Sequence, residues 1–292
     1  MVITLRHGAL TAQAETLGGE LVSLRREGTE YIWSGDPAYW SGRNPLLFPI
    51  VGALKNGVVD IGGQSFAMAR HGFARRKEFE TVEQGADFVT FRLREDDSTL
   101  EQYPFPFDLR LCHRLTETGF ATTFTVTNTG CAEMPFCIGA HTAFRCPLAA
   151  GERFEDYRLV FDATETVEAV CPGEGGCLDK SLRQDALREG RIDLDHRVFD
   201  RVDTLIYEGL RSKTVALVHK DTGRGVEVDF SQFPMVAFWT MPGANAPYLC
   251  IEPWQGCAAL TDESGRFTDK PHCVTLRPSE SWTWSYTVRL LG

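Results

Sequence analysis

Apolar and polar residues alternate at period two over many short stretches of this chain, a pattern that predicts β-strands rather than helices. Residues 88–93 and Phe107–Leu115 switch sides at every position. Residues 120–127 are rich in β-branched and aromatic side chains and follow Glu117-Thr118-Gly119, which reads as a hairpin turn. Further strands are predicted over 214–218, 225–230, 236–241, 248–252, Val274–Leu276 and 281–290. Turn signals separate them at Asp221-Thr222-Gly223, Asn128-Thr129-Gly130, Pro242-Gly243 and Ile61-Gly62-Gly63. Helical periodicity is scarce: 179–189 is the best candidate and reads equally well as a charged surface loop. Many closely spaced strands with little helix predict an all-β, antiparallel β-sandwich or barrel rather than βαβ units.

No internal repeat or low-complexity linker divides the chain. Cys171-Pro172-Gly173-Glu174-Gly175-Gly176-Cys177 is the most loop-like stretch, but the strands on both sides of it have the same character, so a single domain over 1–292 is expected. A hydrophobic share of 43% over 292 residues is ample for one large core. The net charge of −10 argues against nucleic acid or an anionic membrane as the main partner, though it leaves room for a local basic cleft. No run of about 20 apolar residues predicts a spanning helix, and Met1–His7 reads as a first strand rather than a secretion signal. Nine cysteines cannot all pair with one another, and none stands in a Cys-x-x-Cys spacing. Cys112, Cys137, Cys250 and Cys273 fall in apolar strand-like contexts, where a free thiol packs as a small hydrophobe. A reducing, cytoplasmic setting is therefore expected.

Candidate chemistry rests on three short frames. In Arg70-His71-Gly72-Phe73-Ala74-Arg75, glycine beside the imidazole permits close backbone approach to a ligand. In Gly139-Ala140-His141-Thr142-Ala143-Phe144, small residues leave space beside a second ring. Either histidine alone reads more readily as one satisfied within the core. Glu252, in Ile251-Glu252-Pro253-Trp254, is the strongest position, because a carboxylate in an apolar strand is costly to bury unless it is paired or used. Pro253 cannot donate to a ladder, so pairing is expected to stop there and place Glu252 at a sheet rim. Arg43, Arg75 and Asp203 each stand beside apolar runs as substrate contacts or structural ion pairs, and Trp239 and Trp254 offer flat apolar faces against which a ligand can pack. The histidines and Glu252 lack the clustered spacing of zinc ligands, so no metal is expected. Nucleotide loops and a Gly-x-Ser-x-Gly elbow are also absent.

Together these frames resemble the aldose 1-epimerases of the galactose mutarotase-like superfamily, specifically a shorter bacterial branch. The resemblance runs through most of the chain: Asn44–Gly52, His71–Arg75, Tyr103-Pro104-Phe105-Pro106-Phe107, Ile138–Phe144, Asp203-Thr204-Leu205-Ile206 and Ile251–Trp254 occur in order. It implies a large β-sandwich with an open concave sheet, and no metal or organic cofactor. It implies His141 as catalytic acid, Glu252 as catalytic base and His71 as a substrate-binding residue. Asp203 falls near a sugar-binding acid of the family and Arg43 near its N-terminal arginine. The segment 150–201 carries no recognisable motif and is the part left to shape specificity.

The expected partner is a small aldose or aldose phosphate. Lys55, Arg70, Arg75 and Arg76 cluster in sequence around His71, as a phosphate site or as exposed strand-end charges. A hexose-6-phosphate mutarotase and a non-catalytic sugar-binding protein on the same fold are the competing readings. A glycosidase would call for two carboxylates flanking the scissile bond, where this sequence frames one.

Overall fold

The computed structural model describes residues 1–292. Two large sheets dominate it, and every strand pairing within them is antiparallel. One has nine strands in the order Arg191–Asp193, Tyr157–Phe161, Thr214–His219, Gly225–Asp229, Ser281–Leu291, Gly119–Asn128, Phe107–Leu115, Phe88–Arg94 and Glu80–Gln84. The other runs Leu178–Gln184, Ala169–Pro172, Thr204–Glu208, Met235–Trp239, Tyr248–Gln255, Ile138–Ala140 and Leu46–Leu47, with Thr142–Arg145 also paired to Tyr248–Gln255. A four-stranded meander, Val2–His7 through Thr29–Glu30, begins the chain.

Period-two patterning explains how the sheets pack. In Tyr157–Phe161 the buried residues are Tyr157, Leu159 and Phe161, and Phe161 meets Phe238 and Tyr207 of the opposite sheet at ring separations of 5.8 and 6.1 Å. The Thr142 hydroxyl reaches that of Tyr286 across the same interface at 3.2 Å. These contacts belong to one apolar core of 76 buried residues running from Ile3 to Leu290. The predicted sandwich is therefore the observed architecture.

Three local expectations need correction. Residues 178–184 form an edge strand, hairpin-paired to Ala169–Pro172, rather than a helix. Its side chains are mostly exposed on both faces, which is why its composition reads as a charged loop. The longest helix is instead His196–Val202, capped by the Asp195 carboxylate accepting from the Arg197 backbone N–H. Finally, Tyr248–Gln255 continues through Pro253, so Glu252 lies in the body of a sheet and not at its rim.

The ladder accommodates the proline because the neighbouring strand is broken there. Ile138–Ala140 pairs with residues 254–255 and Thr142–Arg145 with residues 248–251, and His141 stands between the two pieces. Pro253, which has no N–H to donate, faces the interruption that frees His141 from strand geometry.

Candidate active site

Alternation along Tyr248–Gln255 turns Leu249 and Ile251 into the inter-sheet core and Glu252 and Trp254 to the outer face of the eight-stranded sheet. There they line a cavity of about 320 Å³ together with His71, His141, Arg70, Arg75, Asp203, Thr204, Trp40 and Trp239. That volume is near the small end of ligand pockets, which span about 300–1,000 Å³, and suits a single sugar ring.

The two imidazoles and the carboxylate converge. His141 Nε2 is 3.3 Å from Glu252 Oε1, and the His71 and His141 rings are 5.5 Å apart and nearly perpendicular. Glu252 is only 1% exposed, with His141 at 7% and His71 at 8%. Glu252 Oε2 and His141 Nδ1 have no hydrogen-bond partner in the protein. Buried polar atoms left unpaired are rare and costly, which marks Oε2 as a candidate contact for a ligand.

His71 is fixed by its backbone. It adopts φ +66°, a left-handed conformation that histidine tolerates better than most residues, followed by Gly72 at +70°. A Cβ on Gly72 would come within 2.2 Å of the Phe48 carbonyl oxygen, so only glycine fits. Gly52 N–H donates to His71 Nδ1 at 3.1 Å. With Nδ1 accepting, the proton of the neutral ring sits on Nε2, and Nε2–H is a donor.

Burial sets the charge states. Desolvation pushes the Glu252 carboxyl well above its usual range; the Trp254 indole N–H opposes this and Asp203 adds to it. The indole is close enough to stabilise the carboxylate electrostatically but lacks good hydrogen-bond geometry. Burial lowers His141 to about 3, with the Arg75 charge contributing. It also lowers His71, and His141, Arg75 and Arg70 act in the same direction. Burial thus disfavours charge on all three groups, and most strongly opposes ionisation of Glu252 and protonation of the imidazoles. The pair can pass one proton between Oε1 and Nε2, so its titration belongs to both residues.

Trp40 is a residue the sequence did not single out. Its ring lies 4.8 Å from that of His141 at 33°, and Trp239 flanks the same imidazole edge-on at 5.6 Å. The Trp40 carbonyl accepts from the Trp33 indole N–H at 2.8 Å, which ties down the irregular loop carrying Trp40.

Of the sequence candidates, Asp203, Arg75 and Trp254 line the cavity with the triad, and Arg43 does not. Arg43 Nε donates to the Ser34 carbonyl at 2.9 Å, and the guanidinium faces Glu15 at 3.9 Å. It braces the loop that carries Trp40 rather than reaching a ligand. The motif-free segment 150–201 contributes Pro172, Gly176 and Leu178 to the wall. Cys250, two residues before Glu252 and therefore on the same strand face, was not anticipated in the site. Donor atoms of His141, Cys250 and Glu252 lie within 4.8 Å of one another, but burial pushes the thiol up and an ion would have to displace its proton. No helix is long and apolar enough to cross a membrane.

Comparison with known proteins places the chain among sequence and structural relatives. Residues 1–289 match the family model for aldose 1-epimerase. Protein LacX of Lactococcus lactis subsp. lactis, in its plasmid and chromosomal forms, is 36% identical over the full length of both chains. A galactose mutarotase related enzyme from Lactobacillus acidophilus superposes with a TM-score of 0.93 at 29% identity, covering 100% of this chain and 98% of that one. A galactose mutarotase-like protein from Lactobacillus casei gives 0.94 at 26% identity over all of both chains. With its galactose mutarotase-like fold and a family match over nearly its whole length, the chain belongs to the aldose 1-epimerase family.

Proposed function

We propose that this protein is a mutarotase, interconverting the α and β anomers of an aldose by acid/base ring opening and reclosure. The observation that carries the reading is the buried His141–Glu252 pair, 3.3 Å apart in a sugar-sized cavity, with an unpaired carboxylate oxygen. Opening a pyranose requires loss of the C1 hydroxyl proton and gain of one by the ring oxygen, O5. In the form with the shared proton on His141, Glu252 is a carboxylate that takes the C1 proton while His141 protonates O5. His71 Nε2–H donates to the opening oxygen. Rotation about C1–C2 then presents the other aldehyde face.

Closure runs the transfers backwards: protonated Glu252 returns its proton to the former C1 oxygen, and neutral His141 takes one from the C5 hydroxyl. The form with Glu252 protonated and His141 neutral, the direction burial favours, is the one that closes the ring, and the two forms differ only by one proton moved within the pair. No net proton is exchanged with solvent. Trp40, Trp239 and Trp254 supply apolar faces for the sugar's C–H groups. Exchange NMR of anomer interconversion across a panel of aldoses tests the reading. Catalysed exchange that falls on changing Glu252→Gln is expected, whereas sugar binding without any catalysed exchange would favour a sensing protein on the same fold.

A further inference from the structure

Cys250 and Glu252 stand two residues apart on one strand, so period-two geometry turns both side chains to the same face of the sheet. His141 reaches that place from the interruption in the neighbouring strand, between Gly139, which pairs with Trp254, and Thr142, which pairs with Ile251. One imidazole nitrogen, one sulfur and one carboxylate oxygen thereby lie within 4.8 Å of one another, and all three residues are buried. The proton-transfer mechanism uses the imidazole and the carboxylate and leaves the thiol without a role.

Two of the three groups also have spare capacity. His141 Nδ1 and Glu252 Oε2 are buried without a hydrogen-bond partner. Cys250 is a free thiol in the apolar cluster of Trp33 and Tyr248, against which Trp40 and Trp239 pack. A lone thiolate or carboxylate is costly in such surroundings. A divalent cation changes that balance, because one doubly charged ion held by a thiolate, a carboxylate and a neutral imidazole makes a set with no net charge. Its binding releases the thiol proton and the proton shared by His141 and Glu252. Of the charged groups nearby, Arg75 acts on His141 and Asp203 on Glu252, and their effects on a cation are opposite in sign.

We infer that His141, Cys250 and Glu252 form a binding site for a thiophilic divalent cation of the zinc class, and that the ion and the sugar exclude each other. Zinc bonds of about 2.0 Å to nitrogen and oxygen and about 2.3 Å to sulfur set the ligands of a tetrahedral shell about 3.5 Å apart. The His141–Glu252 separation of 3.3 Å already meets that spacing, so Cys250 is the donor that turns inward. A thiolate and an imidazole in the set select zinc or cobalt(II) over magnesium and calcium, which take oxygen ligands. Sequence spacing does not show the site, because His141 and Cys250 come from strands distant along the chain. An ion there ties up both groups that move protons, which makes it a reversible inhibitor. The site rests on geometry alone; the exclusion of sugar rests on the mutarotase reading.

The test is optical titration of wild-type protein, stripped of ions with a chelator and kept reduced, with cobalt(II) as the probe. A thiolate-to-cobalt charge-transfer band is expected to saturate at a single equivalent. Zinc should abolish the band by competition and magnesium should not. Cys250→Ala should remove the band, and Glu252→Gln, in which the thiol is intact, should weaken cobalt binding about 10²-fold or more. No band in wild type, or a band that survives in Cys250→Ala, would overturn the site. If Cys250→Ala does not fold, Glu252→Gln decides, and wild-type cobalt affinity in that variant overturns the site equally. Exchange NMR should then show inhibition by zinc that a chelator reverses and excess sugar relieves. Full exchange at saturating zinc, or inhibition that sugar does not relieve, would overturn the mutual exclusion. If no sugar exchanges even in metal-free protein, the mutarotase reading fails, and the cobalt titration still decides the site.

Discussion

His141 Nε2 faces Glu252 Oε1 at 3.3 Å across the point where the strand beside Glu252 is interrupted. The interruption lets an imidazole enter a position that a continuous ladder would give to an ordinary strand residue. It also makes the two groups a single titrating unit. Activity needs one transferable proton in that unit. It is lost at low pH when a second proton binds, and at high pH when the shared proton leaves. Burial lowers His141 to about 3 and raises Glu252 well above 4.5, so both limbs move outward. The pH profile of kcat/KM should therefore be broad and flat near neutrality, with an acid limb well below 6.5. A fall centred near 6.5 would show instead that an ordinary histidine controls the rate.

His71 separates binding from stability. Its Nδ1 accepts from Gly52 N–H, and its backbone is left-handed at φ +66°. Asparagine tolerates that conformation and offers a short side-chain acceptor, but it cannot extend a donor to the cavity as Nε2–H does. His71→Asn should retain a melting temperature within a few degrees of wild type while kcat/KM falls about 10²-fold, on the scale of losing one transition-state donor. Differential scanning calorimetry and exchange NMR on the same sample check both halves.

Trp40 shields His141 from water by covering its ring at 4.8 Å. In Trp40→Ala, solvent would reach the imidazole and weaken the desolvation that keeps it neutral. The His141 pKa should rise from about 3 towards 6.5. NMR titration of the ring protons reads this directly, and an unshifted His141 would remove Trp40 from the account.

Outside the site, His113 dictates part of the acid sensitivity of the fold. Its Nε2 donates to the Gly19 carbonyl at 2.7 Å, and its Nδ1 accepts from Thr122 Oγ1 at 2.9 Å. Burial lowers its pKa to about 4, against about 6.5 for a free imidazole. The unfolded chain thus binds a proton between these values that the folded chain refuses. Stability from this group is full above about 6.5 and is lost as pH falls towards 4, by about 3 kcal/mol. Urea unfolding at pH 7 and pH 4 should show that difference shrink in His113→Gln, although the variant is less stable overall.

How far the sequence reveals this site depends on periodicity. Strands such as Phe107–Leu115 and Gly119–Asn128 are legible because each buries one face, so polarity alternates. Residues 178–184 are not, because an edge strand with both faces largely exposed carries no such signal. Glu252 stands out because every neighbour from Tyr248 to Trp254 is buried. Pro253 misleads when judged alone, since its cost depends on whether a partner strand is present opposite it. Trp40 gives no local clue: it sits in an irregular loop, and its role follows from a contact with a residue a hundred positions away. Arg43 is near the cavity in sequence terms but is spent on Ser34 and Glu15.

Saturation-transfer NMR on wild type and Glu252→Gln, with the preferred sugar in excess, tests the central claim most directly. The amide reproduces the shape of the carboxyl but cannot shuttle a proton to His141. Anomer exchange should fall about 10²–10⁴-fold, the share of one acid/base group, while thermal stability and sugar affinity stay close to wild type. Exchange in Glu252→Gln at the wild-type rate would contradict proton transfer by this pair.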